Sequence, residues 1–120
     1  MERYFLDTYA LIEIIEGNEK FKKFLDSEII ICINNLLELD YYLIRTKNDK
    51  RDYYKDFFYP FCEEILLEDI PKANNLKIKN KKLSYIDCLG YVIAKRLGIK
   101  FVTGDMGFKN FDNVLFIKKD

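Results

Sequence analysis

The sequence predicts an α/β domain with a mainly parallel sheet, and three observations carry that expectation. Four short runs rich in β-branched and aromatic residues, RYFL, EIIIC, IKFVT and VLFI, are spread along the chain. Between them lie segments whose apolar residues recur at helical intervals. Alternation of the two implies a sheet covered by helices on both faces, in which ligands gather beyond the carboxyl ends of the strands.

Each element has its own signal. Arg3 to Leu6 is a strand ending at Asp7, and Thr8 to Ile15 continues as a helix until the break at Gly17. Asn18 is a cap for a second helix, EKFKKFLD, with Phe21, Phe24 and Leu25 on one face. Residues 28–32 form an apolar run suited to a buried parallel strand. Residues 35–46 read as a helix, followed by an amphipathic stretch over 49–64. Its Tyr53, Tyr54, Phe57, Phe58 and Phe61 are expected in the core rather than as a base-stacking platform. Residues 65–67 are expected as a short strand, and Pro71 opens a lysine-rich helix running toward Asn80. Ile86, Leu89, Gly90, Ile93, Ala94 and Leu97 define a further helix closed by Gly98, with strands at IKFVT and at 114–117.

Length and composition allow one domain, 1–120, with a single core. Twenty basic and twenty acidic residues cancel, so any nucleic-acid binding must come from local patches. Cys32, Cys62 and Cys88 are odd in number and widely spaced, which argues against a disulfide framework and against a thiolate zinc site. With no long apolar run and an acidic N-terminus, the expectation is a cytoplasmic protein without a membrane span.

The absences narrow the chemistry. No histidine is present and the only serines are Ser27 and Ser84, which excludes Ser-His-Asp and Cys-His catalysis, paired-histidine RNA cleavage and histidine zinc sites. Neither GxxxxGK[ST] nor GxGxxG occurs. Carboxylates are left as the tools of any reaction.

Four of them are placed to meet. Asp7 and Asp105 directly follow strands, and parallel strands end at the same edge; Gly104 permits a tight backbone approach beside Asp105. Glu38 and Asp87 sit near the starts of the helices that lead away from that edge. Each has a structural alternative: Asp7 as a cap, Asn35 to Glu38 and Ser84 to Asp87 as capping boxes, Asp105 in a turn. A cap is worth only ~1 kcal/mol, whereas carboxylates about 6 Å apart repel by roughly 1 to 3 kcal/mol per pair. A divalent cation removes that penalty, and oxygen-only ligation points to Mg²⁺ or Mn²⁺, the hard ions of phosphoryl chemistry.

The stretches YFLDTYALIEII, CINNLLELDYYL and LSYIDCLGYVIAKRLGIKFVTGDMGF, in that order, resemble the PIN-domain nucleases. The resemblance implies a three-layer α/β/α PIN-like fold and maps the acidic metal site onto Asp7, Glu38, Asp87 and Asp105. Thr8 and Thr103 are expected to support those acids from behind. It further implies metal-dependent RNA cleavage leaving a 5′-phosphate and a 3′-hydroxyl. Asp7, Asp87 and Asp105 would be the principal ligands, with Glu38 orienting the water or holding a second ion. Single-domain members of this size resemble VapC-like toxins, which implies a homodimer and a small antitoxin partner. An RNA-processing PIN nuclease without an antitoxin, or a non-catalytic RNA- or protein-binding PIN domain, are the alternatives.

Periodicity and resemblance disagree at one position. The stripe Leu36, Leu39, Leu43 places Asp40 nearer the apolar face than Glu38, whereas the resemblance selects Glu38. Asp112 is expected in a surface turn. Lys72, Lys77, Lys79, Lys81 and Lys82 fall in an acid-free segment before Asp87 and are candidates for holding RNA phosphates, with a solvated helix face as the alternative. A second basic group, Arg45, Lys47, Lys50 and Arg51, is interleaved with acids and is expected to be plain surface. A phosphoacceptor receiver domain or a haloacid-dehalogenase-like phosphatase would need a second acid just after Asp7, where Thr8 and Tyr9 stand.

Overall fold

A computed structural model describes residues 1–118; the last two residues of the expected 1–120 domain lie outside the described residues. Strands β1 (Arg3–Leu6), β2 (Glu28–Ile30), β3 (Lys100–Thr103) and β4 (Val114–Phe116) form one sheet in the order β2-β1-β3-β4. Every pairing between them is parallel, with Phe5 opposite both Ile30 and Phe101. Helices α1 (Thr8–Ile15), α2 (Ile33–Arg45), α3 (Arg51–Phe58), α4 (Asp69–Lys79) and α5 (Tyr85–Leu97) supply the crossovers.

Side-chain alternation along the strands creates two cores and so three layers, α/β/α. Phe5, Ile30 and Phe101 face Leu89 and Ile93 of α5 and Ala73 of α4. Leu6, Ile29, Ile31 and Val102 face Leu11 of α1, Leu39 and Leu43 of α2, and the Phe21 and Phe24 rings. Helix α5 lies so close to the sheet that a Cβ on Gly90 would stand 2.7 Å from Phe5 Cε1. Asp69, fully buried, anchors α4 to α5 through Arg96, whose Nε lies 3.0 Å from Asp69 Oδ1.

From β1 the chain crosses first to β2 on one side and later to β3 on the other. The strand order therefore reverses at β1, and the crevice beyond the carboxyl ends of β1 and β3 is where such sheets bind ligands.

Four expectations are corrected. EKFKKFLD is a 3-10 helix over Glu19–Asp26, held at its start by Lys20 N–H donating to Asn18 Oδ1. The expected strand over 28–32 ends at Ile30, and Ile31 instead makes an isolated parallel bridge to Cys62. Residues 65–67 form no strand; they turn into α4, with Leu66 N–H donating to Asp69 Oδ2 at 2.8 Å. The aromatic stretch breaks at Tyr59–Phe61, where Pro60 stands, and only Phe58 is fully buried, while Tyr53 is 62% exposed. A two-turn helix at the rim of a small core turns Phe58 fully and Tyr54 partly inward, with Phe61 packed beside them, while Tyr53 and Phe57 stay outside and stack on each other, 6.2 Å apart.

Candidate active site

Asp7 continues the sheet by one step beyond β1. Its N–H donates to Val102 O at 3.1 Å, and its Oδ1 then accepts from Ala10 N–H at 2.8 Å, capping α1. The side chain is buried. Burial first, and then the negative charges of Asp87 and Asp105, push its carboxyl up to about 8, against the hydrogen bonds from Thr103 and Ala10.

On the neighbouring strand Thr103, also buried, accepts the N–H of Asp105 at 3.0 Å while its side chain hydrogen-bonds to Asp7. One hydroxyl thus fixes the spacing of two acids. Asp105 in turn accepts from Gly107 N–H at 2.8 Å. Between them Gly104 lies directly against the ring of Tyr9, where a Cβ would collide with Cε2.

The other two acids come from helices. Ser84 Oγ accepts Asp87 N–H at 3.0 Å and starts α5, so Asp87 stands in its first turn. Burial, followed by the charges of Glu38 and Asp105, pushes the Asp87 carboxyl up to about 6 despite a hydrogen bond from Ser84. Glu38 Oε1 accepts from Thr8 Oγ1 at 2.6 Å, and Thr8 Oγ1 accepts from Asn35 Nδ2 at 3.2 Å. Asn35 does not open α2 as a cap; its Oδ1 reaches back to Cys32, accepting from N–H at 3.0 Å. This is the N3 role of a capping box, and it leaves Glu38 free of helix-end duty.

Asp7, Glu38, Asp87 and Asp105 line a single open cleft of about 970 Å³. Asp40 lies outside it, bound by Arg51 Nε at 2.8 Å, which holds its carboxyl below the usual range and ties α2 to α3. Periodicity put Asp40 near the apolar face but could not show that Arg51 would occupy it. Asp112 takes the hydroxyl of Tyr91 and Lys95 Nζ on the far side of α5.

None of the five candidate lysines lines the cleft. Lys77 Nζ donates to Lys81 O and Leu83 O, both at 2.6 Å, closing the loop that leads to Ser84. Arg45, expected as plain surface, does line the cleft, with Tyr41 and Tyr42 beside it. Its spacing of seven residues from Glu38, two turns on one helix, was the available signal.

All donors at the acidic end are oxygens, and the acids repel one another, which fits a hard divalent cation. Among the described residues no three of them close into a preformed cage.

The sequence matches the family profile described as PIN domain over residues 4–114. This chain is a PIN domain. PIN domains are typically nucleases and generally use divalent metal ions. A chain in a toxin-antitoxin complex from Klebsiella pneumoniae superposes on this PIN domain with a TM-score of 0.80 at 16% identity, covering 97% of this chain and 99% of that one. A chain in the crystal structure of VapBC2 from Rickettsia felis bound to a DNA fragment from their promoter superposes with a TM-score of 0.74 at 19% identity, covering 98% and 99%. At these identities the likeness speaks to the fold. No curated protein sequence matches significantly.

Proposed function

We propose that this PIN domain is a Mg²⁺- or Mn²⁺-dependent endoribonuclease and the toxin of a toxin-antitoxin pair. The observation that carries the reading is one cleft lined by four acids, in which burial first, and then the charge of neighbouring acids, raises Asp7 to about 8 and Asp87 to about 6. Asp7, Asp87 and Asp105 would hold the cation, with Glu38 beside them. When bound, the cation supplies Lewis acidity for in-line displacement at phosphorus, the chemistry that oxygen-ligated divalent ions support best.

The chain's own groups then have distinct tasks. Thr103 orients Asp7 and Asp105 relative to each other. Thr8, itself fixed by Asn35, engages Glu38 Oε1. Oε2 of Glu38 would take the proton of the attacking water, and the products carry a 5′-phosphate and a 3′-hydroxyl. Two similar folds come from toxin-antitoxin structures, which supports a small protein partner for this chain. A homodimer and a cytoplasmic location belong to the same reading; among the described residues no helix is long and apolar enough to cross a membrane.

The test is cleavage of an end-labelled RNA pool with Mg²⁺, Mn²⁺ or EDTA, beside Asp87→Asn. Cutting that needs metal and disappears in the variant supports the proposal; no cutting in either metal by well-folded protein overturns it.

A further inference from the structure

Beyond the acids the cleft is built from different side chains. On α2, Leu37, Tyr41 and Arg45 recur at intervals of four and all line the cleft, so one stripe of the helix runs outward from beside Glu38. Tyr41 is 66% exposed. The Arg45 guanidinium carbon lies 5.8 Å from the Tyr41 ring centroid and 6.0 Å from that of Tyr42. Arg45 is the single Lys or Arg lining this cleft among the described residues, and among them it has no carboxylate partner.

The acids near it are engaged elsewhere. Glu16 accepts from the Tyr42 hydroxyl at 2.6 Å, and Glu13 accepts from Asn18 Nδ2 at 3.2 Å. Seven residues of helix separate Arg45 from Glu38, a rise of about 10 Å, which is the scale of neighbouring nucleotides rather than of the cut itself.

A planar guanidinium with open N–H groups matches a phosphate, and an exposed tyrosine face matches an unpaired base. We propose that Tyr41 and Arg45 form a nucleotide subsite beside the cut site, Tyr41 stacking on a base of single-stranded RNA and Arg45 holding an adjoining phosphate. The subsite rests on the nuclease reading and adds to it a point of contact beyond the acids, one that needs the nucleotide beside the cut to be unpaired, since bases inside a duplex have no free face to stack.

The test is fluorescence anisotropy of a labelled, unstructured RNA oligonucleotide with Mg²⁺, using the full chain carrying Asp87→Asn to prevent cutting. Adding Tyr41→Ala should raise Kd roughly 5- to 100-fold, while Tyr41→Phe should hold it within about 2-fold. Arg45→Gln should weaken binding and make the dependence of log Kd on log salt shallower by about 0.7. Unchanged affinity in Tyr41→Ala and Arg45→Gln overturns the subsite and is the outcome if this face takes a protein instead. So does an equal loss in Lys22→Gln, a surface cation outside the cleft, or failure of the parent protein to bind the RNA. The two readings fail separately. Wild-type cutting with unaffected variants sinks the subsite alone, whereas lost binding in the variants with no wild-type cutting in any metal sinks the nuclease alone.

Discussion

Thr8 donates its hydroxyl proton to Glu38 Oε1 at 2.6 Å, joining the first turn of α1 to the second turn of α2 across the cleft. The same oxygen of Thr8 accepts from the buried Asn35 amide. Thr8→Val removes both partners at once and leaves Asn35 Nδ2 without its acceptor, at a cost of about 1 to 3 kcal/mol. Urea denaturation should show that loss, while Thr8→Ser stays within about 0.5 kcal/mol. Cutting by Thr8→Val should fall several-fold, because Glu38 is no longer held.

Asp7 predicts a conflict between stability and activity. Its carboxylate is buried beside two other acids, yet its capping oxygen can be supplied equally well by an amide. Asp7→Asn should stabilise the metal-free protein at pH 8 by at least about 1 kcal/mol and abolish cutting. A thermal melt in EDTA decides it: a lower Tm than wild type at that pH would contradict the buried-charge account.

The pH dependence has a definite sign. Asp7 is raised from 3.8 to about 8 and Asp87 from 3.8 to about 6, so the folded state binds more protons than the unfolded state in that range. Their contribution to stability is complete below 3.8 and is lost as pH rises through about 6 for Asp87 and about 8 for Asp7. Asp40 and Asp112 are shifted downward by Arg51 and Lys95 and act oppositely, losing stability on acidification. From these four groups metal-free protein should therefore have its highest Tm near pH ~4, with Tm falling as pH rises from there toward ~8. Because ligands must be ionised, the Tm gain on adding Mg²⁺ should grow between pH ~6 and ~8 and then level off. A gain independent of pH would mean that these two carboxylates do not hold the ion.

Lys77 separates packing from substrate contact. Its ammonium holds two carbonyls of the loop before Ser84 and lies 5.5 Å from the centroid of the Tyr85 ring. Lys77→Met should cost about 1 to 2 kcal/mol and slow cutting by loosening the turn that presents Asp87, whereas Lys79→Met, on the exposed face, should change stability by under about 0.5 kcal/mol. The salt dependence of RNA binding should be unchanged in Lys77→Met. A shallower slope would instead make Lys77 a phosphate contact.

Local chemistry made much of this fold legible. Strand runs at Arg3–Leu6 and Lys100–Thr103 each end in a residue that turns the chain, Ser84 caps the helix that carries Asp87, and Gly98 closes it; all of these act between near neighbours in the chain. Asp7 and Asp105 were readable for the same reason, since parallel strands share an edge and any residue following one must stand there. Contacts between distant segments decided the rest. Arg51 claims Asp40 and Thr8 claims Glu38, so two acids one half-turn apart on α2 receive opposite fates from partners that no periodicity can see. Asn35 became a brace rather than a cap because Cys32 and Thr8 approach it from either side. Burial along α3 depends on how much core remains at the sheet rim, which takes Phe58 whole and Tyr54 in part and leaves Tyr53 and Phe57 outside. The layers and the acids at the strand ends follow from local sequence, whereas contacts between distant segments select the helix side chains that join them, because orientation is set by packing partners and not by spacing alone.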